Sequence, residues 1–160
     1  MTLHPIMNSF FSTQARRAAI ATEAATWLGT PFMPNAAVKG AGVSCQKLVG
    51  EIYLAMGVWP AGFAIPEWPL DFGDPILAKA MCDWMDGQKD RFEDVSELSV
   101  TIPGDMVGFR IGPDLKHLGI VLTSSGSFIH CLRGPGVMMS ELRDATYLKR
   151  IEKIWRPITQ

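Results

Sequence analysis

Gly40-Ala41-Gly42-Val43-Ser44-Cys45-Gln46-Lys47-Leu48-Val49 is the stretch from which the fold can be read. A glycine-bearing loop runs into the start of a helix, and a thiol stands at the junction. Leu48, Val49, Ile52, Tyr53 and Met56 recur at the spacing of one helical face, which predicts a helix over Cys45–Met56. Ser44 stands at the cap position and Gly57 where the helix should end. Cys45 lies three, four, seven and eleven residues before Leu48, Val49, Ile52 and Met56, so it shares their side. The thiol therefore faces the domain rather than open solvent.

Upstream, Asn8 or Ser9 is expected to cap a first helix that runs to Leu28 and is closed by Gly29. Phe10, Phe11, Ala18, Ile20 and Trp27 give it an apolar side. Gly29-Thr30-Pro31-Phe32 then opens a long loop toward Cys45. Downstream, residues 58–72 are rich in proline, tryptophan and glycine and read as an irregular loop with aromatic surface. Asp74 and Pro75 open a third helix to Asp86, with Ile76, Leu77, Ala80, Met81, Trp84 and Met85 as its apolar stripe. From Pro103 the period becomes strand-like, with strands expected at 106–111, 118–123, 127–132, 137–139 and 151–158. Helices first and an antiparallel sheet second make an α+β fold.

The chain has 160 residues, which suits one domain, 1–160, with a sizeable core. Hydrophobic residues make up 48% and charged residues 19%, a balance that folds rather than stays disordered. A net charge of −1 and a pI of about 6.3 argue against nucleic acid or an anionic membrane as the main partner. No apolar run is long enough to span a bilayer. The alanine-rich stretch at 18–27 follows Arg16 and Arg17 but is broken by Glu23, so no secretory signal peptide is expected. Synthesis in the cytoplasm is the expectation, and a substrate in the cell wall would then require delivery by a particle or another non-classical route. Cys45, Cys82 and Cys131 are an odd number without a Cys-x-x-Cys pair, which points away from a disulfide framework and from zinc. No metal or cofactor is expected.

A thiol becomes a good nucleophile when it ionises, and the partial positive charge of a helix N-terminus favours that. The N–H of Cys45 could also hold a developing oxyanion. A nearby imidazole could take the thiol proton and return it to a leaving amine. Two histidines fall on later strands, His117 in His-Leu-Gly-Ile-Val-Leu and His130 in Ser-Phe-Ile-His-Cys-Leu. His117 reads as the base, and His130 as the group that orients its other ring nitrogen. Local sequence leaves Cys45 open between this role and a buried core cysteine. Cys82, inside an apolar helix, reads as structural. Cys131 follows His130 directly, so a site faced by His130 should not be faced by Cys131. His4 lies in the tail, and Asp71, Asp74, Asp83, Asp86 and Asp90 read as caps or solvated faces. Trp59, Phe63 and Trp68 either wall a substrate groove or pack on the core.

Several segments together resemble the NlpC-type cysteine peptidases, papain-like enzymes that cut peptidoglycan stem peptides. They are Leu28-Gly29-Thr30-Pro31-Phe32, the stretch from Gly42 to Val49, Pro103-Gly104-Asp105-Met106-Val107, His117 to Leu122, Phe128-Ile129-His130, Gly136-Val137 and Trp155-Arg156-Pro157. Their order is the family's, and they span roughly residues 15–158. The resemblance implies a papain-like fold, with Cys45 as nucleophile, His117 as base and His130 as the third, orienting residue. It also implies an amide substrate, expected in peptidoglycan, and a substrate site that includes Phe32, Ser44 and Gln46, to which the aromatic loop adds Trp59 and Trp68 as candidate contacts. The block around Cys45 and the Arg-Pro ending look most like the branch of phage tails and gene-transfer particles, so a phage or secretion particle is a possible partner. Family members commonly carry Asp-Cys-Ser-Gly at the nucleophile, where this chain has Ser44, Gln46 and Lys47 around Cys45, and a tyrosine where it has Phe32. The aspartate and tyrosine that help hold a substrate amine are thus replaced. Two further readings stay open: an amidase or acyltransferase with another acyl substrate, and a non-catalytic virion or tail binding component.

Overall fold

The computed structural model describes residues 8–68, 75–98, 100–112 and 114–160. Helix α1 spans Gln14–Ala25 and is capped by Thr13, whose Oγ1 accepts from Arg16 N at 3.2 Å. The cap expected at Asn8 or Ser9 is therefore displaced. Ser9 Oγ accepts from Phe11 N, and Ser9 pairs with Ile158 in a single antiparallel bridge. Phe10 N donates to Pro157 O at 2.8 Å, so the chain's two ends hold this segment extended. Pairing across such a sequence distance leaves no local signal. Ile20, Ala24 and Trp27 are buried as the apolar pattern implies, while Ala18 is exposed.

Strands β1 (Ala37–Val38) and β2 (Gly42–Val43) form a small antiparallel hairpin that leads into helix α2, Cys45–Met56. Gly57 ends α2 in the left-handed region, with φ 78°. Helix α3 spans Pro75–Asp86, and its expected cap at Asp74 lies outside the described residues.

Strands β3 (Phe92–Asp94), β4 (Met106–Ile111), β5 (Asp114–Val121), β6 (Ser127–Leu132), β7 (Gly136–Glu141) and β8 (Ile151–Pro157) form one antiparallel sheet in the order β3-β8-β4-β5-β6-β7. A 3-10 turn, Ser96–Leu98, and a short helix α4, Ala145–Leu148, complete the order. The strand expected at 118–123 begins earlier, at Asp114, so His117 lies within β5. The strand expected at 137–139 extends over the whole of β7.

Successive side chains of a strand face opposite sides, and here each side has its own core. Met106, Leu118, Ile120, Ile129 and Cys131 pack with Leu48, Ile52 and Tyr53 of α2. Val107, Phe109, Val121, Phe128 and Leu142 pack on the other side, with Tyr147 and Ile151 against them. Arg156 of β8 grips Asp105 just before β4, with Nε to Oδ1 at 2.9 Å and a second bond to Oδ2 at 2.8 Å, both residues buried. The bidentate pair locks the last strand to the entry of β4. Among the described residues no helix is long and apolar enough to cross a membrane.

Candidate active site

Ser44 occupies the N-cap of α2 in an extended conformation, yet its hydroxyl makes no capping bond. Its Oγ is buried and unpartnered. The cap expected of this side chain is therefore absent, and the leading N–H groups of the helix are left for another acceptor. Burial is the largest influence on the Cys45 thiol, and the backbone N–H groups of Leu118, Gln46 and Cys45 act against it by favouring the thiolate. Burial outweighs them and pushes the thiol up to about 11. The thiol itself donates to Gln46 Oε1 at 3.7 Å.

His117 Nε2 lies 2.8 Å from His130 Nδ1, and His130 Nε2 lies 2.8 Å from Ser140 Oγ. Burial lowers both imidazoles, His117 to about 3 with the charge of His130 adding to the effect, and His130 to about 4. Both rings are therefore neutral near pH 7, and each shared proton must sit on one nitrogen. If Ser140 Oγ accepts from His130 Nε2–H, then His130 Nδ1 must accept from His117 Nε2–H. That tautomer leaves the His117 Nδ1 lone pair free to take a proton. The rings of Phe109, Phe128 and Tyr147 pack around the pair, with centroid separations of 4.6–5.8 Å. Gly119 lies on the same side, two residues after His117. A Cβ there would stand 2.9 Å from Ile129 O and from Phe128 Cδ2, so only glycine leaves that ring its place beside His130.

Cys45 and His117 open on a cavity of about 540 Å³ whose other walls are Phe32, Ile111, Cys131, Leu132, Arg133 and Pro135. These residues lie at one end of the sheet, where β4 finishes, β5 begins and β6 finishes. The walls are largely apolar, and among the described residues they include no carboxylate. The Arg133 guanidinium stands over the Phe32 ring, 5.3 Å from its centroid.

No protein-family model matches the sequence, and no curated protein sequence matches it. Solved structures do match the fold. A lipoprotein-like NLP/P60 family protein of Staphylococcus aureus superposes with a TM-score of 0.63 at 18% identity, over 100% of this chain and 46% of that one. NlpC2 of Trichomonas vaginalis gives a TM-score of 0.59 at 17% identity, over 88% of this chain and 47% of that one. The NlpC/p60 domain of the peptidoglycan hydrolase SagA gives 0.54 at 18%, over 90% of this chain and 98% of that domain. This is the NlpC/P60 fold. The chain spans about half the length of the Staphylococcus and Trichomonas proteins.

Within the NlpC/P60 frame the residues singled out from sequence separate into three groups. Cys45, His117 and Phe32 share the cavity, and His130 stands directly behind His117. Gln46 touches the thiol, whereas Ser44 is buried beside it and lines no part of the cavity. Trp59 is fully buried, stacked on Phe63 at 4.9 Å and bonded through Nε1 to Gln88, so it is core and not a substrate contact. Trp68 is also buried, edge-on to Trp84, and meets the site only through its backbone. Cys131 lines the cavity where His130 does not, and its thiol donates to Val43 O at 3.3 Å. Alternation along β6 holds, but the cavity lies at the strand ends, where groups from both faces of the sheet meet.

Three contributors escaped the sequence reading: Ser140, the N–H of Leu118, and Asn35. Ser140 lies across from Phe128 in the β6–β7 register, which places it beside His130. An alternation argument extended along β7 could have found it. Nothing local marks the other two.

Proposed function

We propose that this chain is a cysteine hydrolase of amide bonds, acting on peptidoglycan stem peptides through Cys45, His117 and His130. The observation that carries the reading is the convergence of a thiol at the head of α2 and a His117–His130–Ser140 chain on one cavity. Its likeness in fold to the SagA peptidoglycan hydrolase domain supports the choice of substrate. Cys45 Sγ attacks the carbonyl carbon while its proton passes to His117 Nδ1. The proton then goes to the leaving nitrogen, the C–N bond breaks, and a thioester remains. Water attacks the thioester, gives its proton to His117, and releases the acid and the thiol. Because burial keeps the thiol protonated and the imidazoles neutral, the base acts within the attack itself and not through a standing ion pair. Delivery to the wall by a phage-like or secretion particle completes the proposal, on the resemblance around Cys45 and at the Arg-Pro ending.

A second reading, hydrolysis or transfer of a different acyl group, is favoured by the apolar walls and by the serine at position 44. Digestion of purified peptidoglycan by wild type and Cys45→Ala, with fragments read by mass spectrometry, decides between them. New fragments from wild type alone are expected. Turnover by Cys45→Ala would overturn the mechanism, and intact peptidoglycan under wild type would favour the second reading.

A further inference from the structure

The environment of the Cys45 sulfur contains a chain of amides that hydrolysis does not require. Gln46 Nε2 donates to Asn35 Oδ1 at 2.9 Å. The same Asn35 oxygen accepts from Trp68 N at 3.0 Å, and Asn35 Nδ2 donates to Trp68 O at 2.9 Å. A backbone N–H can only donate and a backbone carbonyl can only accept, so these bonds settle which end of the Asn35 amide is oxygen. Asn35 sits at φ 53°, in the left-handed region that asparagine tolerates better than most residues. With Asn35 oriented, Gln46 must turn its nitrogen toward Asn35 and its oxygen toward Cys45. A flipped Gln46 would set two carbonyl oxygens against each other.

We propose that Asn35 and Gln46 form an amide clamp, anchored on the backbone of Trp68, that presents a carbonyl oxygen to the Cys45 sulfur and so holds the thiol protonated at rest. An acceptor bonds the S–H form and repels the thiolate. The clamp thus opposes the N–H groups at the head of α2 and leaves ionisation of the thiol to His117. Gln46 is on this account a positioning residue for the nucleophile, at the place where the family commonly has serine. Among the described residues, the other titratable or charged groups that share the sulfur's cavity are His117 from β5, Cys131 from β6 and Arg133 after it. Lys47, the neighbouring cation on α2, turns away to donate to Ile65 O at 3.1 Å. The clamp acts on the same thiol as the proposed hydrolysis, but testing it needs no turnover, so the two can fail separately.

The experiment is the rate of Cys45 alkylation by iodoacetamide against pH, resolved from Cys82 and Cys131 by peptide mass spectrometry. Gln46→Met removes the acceptor at similar volume and should speed alkylation at fixed pH. One unit of thiol pKa is worth about threefold, because the tenfold gain in thiolate is partly offset by lower nucleophilicity. Gln46→Glu places a carboxylate against the sulfur and should slow it by at least as much. Asn35→Ala frees Gln46 to turn its N–H toward the sulfur and should speed it, which keeps the idea testable if Gln46→Met does not fold. Loosened packing would expose the thiol and speed alkylation in every variant. Opposite signs for Gln46→Met and Gln46→Glu are therefore the expected result. The same sign in both, or no change in either, overturns the clamp.

Discussion

At the scale of single residues, the proposed chemistry depends on where a few protons sit. His117 can accept the thiol proton only if its own proton is on Nε2, which His130 must accept. His130 can accept there only if its other nitrogen donates, and Ser140 Oγ is the group 2.8 Å away that can receive that bond. Ser140→Ala should therefore lower kcat by about tenfold or more, within the range of general-base contributions, with KM little changed. Ser140→Thr, which keeps the oxygen, should restore most of the rate. A loss confined to KM, or no rescue by threonine, would show that the hydroxyl does not set the tautomer. The histidines and the thiol were legible in the sequence because each has an unusual setting: a thiol at a loop-to-helix junction, and imidazoles in apolar strands. Ser140 was not, because a serine in a strand is ordinary until its cross-strand neighbour is known.

At the scale of elements, α2 carries both Cys45, the proposed nucleophile, and the seat of the aromatic loop. Gly50 is buried in the middle of α2, where glycine is a poor helix former. The reason is Ile65, which lies directly on it: a Cβ at position 50 would meet Ile65 Cδ1 at 2.1 Å and Cγ1 at 2.5 Å. Gly50→Ala should gain about 1 kcal/mol of helix propensity and lose about 1–3 kcal/mol to overpacking against Ile65. Net destabilisation in denaturant unfolding is expected, and stabilisation would mean that the loop gives way easily. Lys47 and Asn35 pin the same loop, through Ile65 O and the Trp68 backbone. This explains why Trp59 and Trp68 are packing residues. A loop tied to a helix at several points presents its aromatics inward, where each buries far more area than it would along a groove.

At the scale of the whole molecule, the two neutral histidines make stability depend on pH. Their folded values, about 3 and about 4, lie below the ordinary 6.5. Below pH 6.5 the unfolded chain therefore binds protons that the folded chain does not, and stability falls as the pH drops. Each histidine contributes a slope of up to about 1.4 kcal/mol per pH unit between its two values. Wild type should lose melting temperature between pH 7 and pH 4.5 more steeply than His130→Gln. Parallel curves would mean that His130 is charged in the folded protein at the lower pH.

The apolar periods of the Cys45–Met56 helix and of the later strands were determined by sequence alone, since such periods are local and mark the buried face directly. So were the helix-then-sheet order and the choice of Cys45, His117 and His130 as candidate residues. Tertiary structure decided what depends on partners distant in the chain. Ser9 became a bridge to Ile158 instead of a helix cap, and Phe92–Asp94 became a strand only because β8 offers an edge. Cys131 came to the cavity because strand ends bring both faces of the sheet together. Asn35, ten residues before Cys45, is brought beside it by the pairing of Ala37 with Val43 and of Ala36 O with Ser44 N, and is held there through Trp68 and Gln46. A side chain's pattern tells which way it faces, but its hydrogen-bond partner is set by packing, and packing is a property of the folded chain.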